Sequence, residues 1–350
     1  MRSMIEQQLT QQRLKRNLLL TASLITLLLL ALVGLSVGSS DLPIGEIPAM
    51  LLGHTNHTAA QVLFHIRMPR VLAAILSGVA LAISGSVIQT VIRNPLGSPY
   101  TLGLSAASMF GAALVIVISG YLRPLSGTSP YLITISAFLM GLLCAFFITA
   151  LARWRGASPE TLIIAGIILS SLFNSGTSLL QYFSNDTELT AIVSWMFGDL
   201  GKADGNNVKL LLIVVIPSMA YFIFNGFSLS ALNAGDEVAQ SLGVKVNRLR
   251  IINILVASLC TAVTVAFFGI IAFVGLIIPH ITRRLIGTNE STVIIGSAIL
   301  GALFLLLSDI IARTIAAPIV IPVGIITSFV GAPFFLYLLI ININHKRNKQ

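Results

Sequence analysis

The sequence predicts an all-α, polytopic membrane protein with about ten transmembrane helices, and three observations carry that expectation. Only 9% of the 350 residues are charged, while 56% are apolar. An average soluble domain is about 25% charged, so this balance excludes an ordinary soluble enzyme, a disordered chain and a nucleic-acid-binding chain. The apolar runs are also long and continuous. A helical span needs about 20 such residues, whereas barrel strands would alternate in segments of about ten. Finally, Lys and Arg collect between alternate runs, the asymmetry expected of cytoplasmic loops.

Taken in order, residues 1–16 form a polar, basic tail with Arg13, Lys15 and Arg16, and 17–38 form the first span. That run exceeds a signal-peptide core of about 7–15 residues. Further spans are expected at 62–92, 100–120, 131–152, 161–183, 207–228, 250–271, 272–286, 292–315 and 323–343, with a short tail at 344–350. The eighth is short, and the split near Ala272 separates it from the seventh. With the N-terminus inside, fifteen of the 21 Lys and Arg fall in inside segments, and Arg67, Arg70, Arg123, Lys202, Lys209 and Arg313 fall outside. This predicts ten spans and two cytoplasmic termini. The net charge of +9 is then a property of loops facing the cytoplasm, not of a nucleic-acid surface.

Small residues recur every fourth position at Ala74, Gly78, Ala82 and Ser86, and at Gly324, Ser328 and Ala332. On a helix each set shares a face and permits close packing; lining a translocation path is the other use for such a face. Cys144 and Cys260 lie inside apolar runs as small hydrophobes. The sequence contains no Walker A pattern, HExxH, nucleophile elbow or GxGxxG, so neither a resident cofactor nor a metal site is expected. Two loop histidines, His54 and His57, read as solvated, and Tyr182, Phe183, Trp195, Met196 and Phe197 read as interfacial anchors. Asp309 is the clearest charge within a span, with Arg313 one turn onward as its expected partner.

Three strings say more: RMPRVLAAILSGVALAISGSVIQTVIRNPLGSPYTLGLSAAS at 67–108, GDEVAQSLGVKVNRLR at 235–250, and GIIAFVGLIIPHITRRLIG at 269–287. SDIIARTI at 308–315 and PVGIITSFVGAPFFLYLL at 322–339 continue the last. Together they resemble the FecCD family, the permease subunits of type II ABC importers for iron-siderophores, haem, cobalamin and related chelates. The resemblance implies the type II importer permease fold and ten spans. It also implies a second permease subunit, two cytoplasmic ATPase subunits and an extracytoplasmic substrate-binding protein. By that resemblance the chain is a transport subunit of the bacterial inner membrane, in contact with lipid and not itself an enzyme. Ferric-siderophore is the expected cargo, with haem, cobalamin or an oxyanion as alternatives; a secondary ion-coupled transporter is the rival class. Arg67, Arg70 and Arg313 match residues that grip the binding protein. Residues 235–244 match the segment that couples to the ATPase, with Gly235, Val238, Ala239, Leu242 and Gly243 as its members. Asn94, Pro95 and Leu96 match a cytoplasmic gate, and Ser158, Pro159 and Glu160 match a second constriction whose Pro–Glu pair departs from the small polar pair of some relatives.

Overall fold

The computed structural model describes residues 2–38, 57–122, 130–155 and 158–347, and every regular element among them is helical. His54 lies outside the described residues, as does Arg123. Helix α1 (Arg2–Ser36) extends back through the stretch read as a tail. Helix α2 (His57–Val62) passes through a π-helical turn at Leu63–Arg67 into α3 (Met68–Ile92). Then come α4 (Leu104–Leu122), α5 (Pro130–Arg155), α6 (Pro159–Phe183) and α7 (Asp186–Met196). A 3-10 turn at Leu200–Lys202 precedes α8 (Gly205–Phe224), α9 (Gly226–Ala234) and α10 (Asp236–Ser241). The chain closes with α11 (Val246–Phe268), α12 (Val274–Ile286), α13 (Glu290–Thr314) and α14 (Val323–Arg347). Among the described residues seven helices, α1, α3, α5, α6, α8, α11 and α13, are long and apolar enough to cross a membrane; α4, α12 and α14 stand where the other three expected spans were placed.

Helix α3 is the axis of the bundle, buried along almost its whole length against α8, α11, α12 and α13. Its small residues explain how. A Cβ on Gly78 would overlap the Gly301 carbonyl of α13, and one on Gly85 would overlap the Gly275 carbonyl of α12. Helices in lipid gain no hydrophobic drive from association, so such close backbone approach supplies the packing energy. The Ala74–Ser86 stripe is therefore a packing face. The Gly324 stripe has mixed use: Gly324 abuts the carbonyls of Phe197 and Ile270, while Ser328 lines a cavity.

The seventh and eighth spans are separated by a non-helical break rather than a point. Gly269 closes α11 at φ 75°, Phe273 sits at φ 68°, and α12 restarts at Val274 with only 13 residues. At 1.5 Å per residue that helix is about 20 Å long, too short to cross alone. Helix α7 was not expected. Its N-terminus is a capping box in which the Asn185 side chain accepts from the Glu188 N–H at 2.9 Å and Glu188 accepts from the Asn185 N–H at 3.2 Å. It folds onto α4, which buries Trp195 in a core with Ile116 and Val265. Trp195 is thus a core residue, not an interfacial anchor, while Tyr182 and Phe183 remain exposed.

Candidate functional site

The bundle has two charged rims with a neutral interior between them. The first rim forms where α1 ends. The last carbonyls of a helix have no intrahelical partner, and here arginines take them. Arg313 Nη1 donates to the carbonyls of Gly34 (3.1 Å) and Val37 (2.8 Å). Arg67 Nη1 donates to that of Leu35 at 2.8 Å and also to that of Ser36. Asp309 is fully buried and serves two partners: Arg70 at 2.9 Å and Arg313 at 3.0 Å. The Asp309–Arg313 pair expected from sequence is present, and Arg70 joins it from 239 residues away.

The fold brings Arg67, Arg70 and Arg313 together across the chain, but it does not display them as free surface charges. Arg67 and Arg313 are buried, and the groups they bond lie inside the subunit. Helix position causes this: Arg67 precedes α3 and Arg313 ends α13, and both helices pack beside the C-terminus of α1.

The opposite rim is built around the end of α3. Arg93 caps that helix in the left-handed region at φ 50°, its N–H donating to the carbonyls of Gln89 and Thr90. The loop that follows is tightly tied. Asn94 Oδ1 accepts from the Leu96 N–H at 2.8 Å, its carbonyl accepts from Gly97, and Ser98 and Thr101 bond reciprocally. Pro95 lacks a donor and biases Asn94 away from helix, so α3 stops there. Leu96 and Tyr100 are exposed. Ser158, Pro159 and Glu160 form the start of α6: Ser158 Oγ accepts from the Thr161 N–H at 3.2 Å, Pro159 is its first residue and Glu160 is exposed. Helix α6 meets the 94–101 loop higher up, where Gly166 presses on the Thr101 carbonyl.

The 235–244 segment lies on this second rim. Gly235 adopts φ 135°, ψ 155°, a conformation closed to other residues, and so sets the sharp turn between α9 and α10. Gly243 at φ 81° ends the segment, with the Leu242 N–H returning to the Val238 carbonyl. Val238 and Leu242 are about half exposed, at 45% and 55%. Ala239 is not: it is completely buried and points into the bundle. Its place is therefore among the contacts that seat α10, and the exposed apolar pair is Val238 and Leu242.

Sequence reading missed the charges that hold this segment. Asp236 Oδ1 accepts from Arg250 Nη2 at 2.7 Å and from Arg93 Nη1 at 3.2 Å. Buried Glu290 accepts from Asn233 Nδ2 at 3.3 Å and pairs with Arg283 at 3.4 Å, and Arg283 also donates to Gln89 Oε1 at 2.6 Å and Thr90 Oγ1 at 2.8 Å. The available signal was an acid directly after Gly235 and the basic pair Arg248, Arg250 at the start of the next span.

Between the rims, a cavity of about 580 Å³ runs from α6 (Ser170, Asn174, Ser178, Gln181) to the α11–α12 break and to α14. A second, of about 210 Å³, shares Tyr100, Ala272 and Ser328 with it and reaches Pro99 and Thr101 of the loop after α3. All lining residues of both are neutral.

Long apolar helices packed around α3, a break between α11 and α12, and a cavity lined by neutral residues are the features of a membrane permease. The chain belongs to the FecCD transport family, whose model matches residues 25–341. It is 33% identical to the hemin transport system permease protein HmuU of Yersinia pestis, over 94% of this chain and 97% of that one. To the Fe(3+)-citrate import system permease protein YfmE of Bacillus subtilis it is 35% identical, again over 94% and 97%. A solved structure described as an inward-facing conformation of a metal-chelate type ABC transporter matches with a TM-score of 0.80 and 31% identity, covering 93% of this chain and 99% of that one. The chain is a multi-pass permease subunit of the ABC importer family, with the type II importer permease fold.

Proposed function

We propose that this permease imports a ferric-siderophore complex by alternating access, driven by ATP hydrolysed on two cytoplasmic partner subunits and fed by an extracytoplasmic binding protein. Two permease subunits, identical or homologous, would enclose the path between them. The observation that carries the reading is the seating of an exposed apolar pair, Val238 and Leu242, on a segment hydrogen-bonded through Asp236 to Arg93 at the end of α3. An apolar patch in a cytoplasmic loop wants a protein partner, and this one is tied to the helix that leads into Asn94, Pro95 and Leu96.

In this reading those three residues form the cytoplasmic gate, with Ser158, Pro159 and Glu160 as a second constriction. The neutral cavity lining supports a path that conducts a chelate without holding it, which leaves specificity to the binding protein. That protein would dock on the rim of Arg67, Arg70 and Arg313: Arg67 and Arg313 shape the rim, and Arg70 offers the most exposed charge of the three. The charge bias supports a cytoplasmic side for both termini and the 235–244 segment, in the bacterial inner membrane. Hemin and ferric citrate relatives support an iron chelate as cargo.

The test is reconstitution of the permease with its ATPase and binding protein in proteoliposomes, offered ferric hydroxamate and catecholate siderophores, hemin and cobalamin. ATP-dependent accumulation of a ferric siderophore is expected. Preference for hemin or cobalamin would change the cargo, and uptake by the permease alone on an ion gradient would overturn the mechanism.

A further inference from the structure

Resting on that reading, we infer that Asp236 is a positioning residue that carries the movement of the ATPase-contacting segment to the gate loop, through Arg93 and Arg250. The geometry has one carboxylate oxygen shared by two arginines from two different elements. Arg250, at the start of α11, is buried; its Nη2 reaches Asp236 Oδ1 at 2.7 Å while its Nε donates to the Val91 carbonyl in the last turn of α3 at 3.1 Å. Arg93 reaches the same oxygen at 3.2 Å and is the residue immediately before Asn94. A displacement of α10 therefore acts directly on the final turn of α3.

Three further features favour transmission over simple anchoring. The loop beyond Arg93 is stiffened by its own hydrogen bonds from Asn94 to Thr101, so it moves as a unit. Gly235 supplies a bend directly ahead of Asp236, which lets α10 pivot on α9. Helix α9 is itself held at Asn233 and Ser230 by Glu290, whose partner Arg283 grips Gln89 and Thr90. Both lines of contact end on Gln89–Arg93.

The exposures differ in a useful way. Arg93 and Asp236 are 41% and 36% exposed, whereas Arg250 is 3% exposed. A half-exposed pair is weak and easily exchanged with water, while a buried charge stays paired because leaving it alone is costly. Arg250 thus keeps Asp236 on the bundle, and the Arg93 contact is free to break and reform during a cycle.

The experiment uses the complete transporter with ATPase and binding protein in proteoliposomes and measures substrate transported per ATP hydrolysed. Arg93→Gln is expected to lower that ratio about two- to fivefold, the loss of one half-exposed pair, and Asp236→Asn to lower it further, because it also strips buried Arg250 of its anion. The double variant should be no worse than Asp236→Asn alone, because that change already removes the Arg93 contact. Leu96→Cys in both permeases should crosslink in one nucleotide state in the parent and lose that dependence in the Arg93→Gln background. Two results would overturn the relay: normal transport per ATP in both variants, or a fall in ATP hydrolysis proportional to the fall in transport, which would make Asp236 an anchor for ATPase contact only. Asp236→Glu, retaining the charge, should recover part of the ratio and guards against misfolding of the Asn variant. Failure of the importer reading itself is visible separately, as ATP-independent uptake in the unmodified protein.

Discussion

The two rims use the same chemistry for opposite ends. At the α1 rim, Arg70 and Arg313 pair with a single fully buried carboxylate, and Arg313 and Arg67 cap four carbonyls at the end of α1. At the other rim, one half-exposed carboxylate is shared by two arginines, and the element that carries it is six residues long. Buried, multiply bonded charges make a fixed joint, since separating them strands ions in a low-dielectric interior. Half-exposed charges make a joint that water can replace. One rim locks a span to the bundle; the other can move.

The most severe way to break this contrast is Asp309→Asn. It leaves Arg70 and Arg313 without their anion, a loss of about 3–5 kcal/mol for a buried pair. Thermal unfolding of the detergent-purified protein should shift down strongly, whereas Arg93→Gln, which removes one half-exposed pair, should cost less than about 1 kcal/mol. Equal shifts for the two variants would erase the distinction between a fixed rim and a mobile one.

Next in size is Leu242→Asp. The side chain is exposed, so unfolding should move by no more than about 0.5 kcal/mol, yet a carboxylate placed against a partner's apolar cleft is costly unless paired. Co-purification with the ATPase and substrate uptake should fall together while membrane insertion persists. Ala239→Asp is the matched control: because Ala239 is buried in the bundle, that change should unfold the segment and lower thermal stability instead. If both behave alike, the division into an outward pair and an inward anchor is wrong.

Composition and apolar run length disclosed the spans, because crossing a bilayer admits few solutions. The break between α11 and α12 was visible as a short eighth span, and the glycine stripe on α3 as spacing. Helix α7 stayed hidden because its 11 residues are too few to span and its apolar side packs on α4 rather than lipid. Arg67, Arg70 and Arg313 were grouped in the sequence as charges expected outside, but the burial of Arg67 and Arg313 was not legible: they bond main-chain carbonyls at the end of α1, which carry no residue identity. Asp236 was missed for a related reason. In sequence it is one acid in a polar loop, and its meaning comes from Arg93, 143 residues earlier.

The smallest expected effect sharpens what the fixed rim offers a binding protein. Arg70 retains 13% side-chain exposure while its Nε and Nη2 both sit 2.9 Å from Asp309 Oδ1. Arg70→Lys keeps the charge but loses the planar fork, and Arg70→Gln loses both. Rim charges act mainly on association rate and are screened within about 10 Å at 0.1 M salt. The Gln variant should therefore slow capture of the binding protein about two- to fivefold at low salt, with little difference at high salt. The Lys variant should capture at nearly the parental rate while unfolding at a slightly lower temperature. A Gln variant that captures normally at low salt would assign Arg70 wholly to holding Asp309, as Arg67 is assigned to the end of α1.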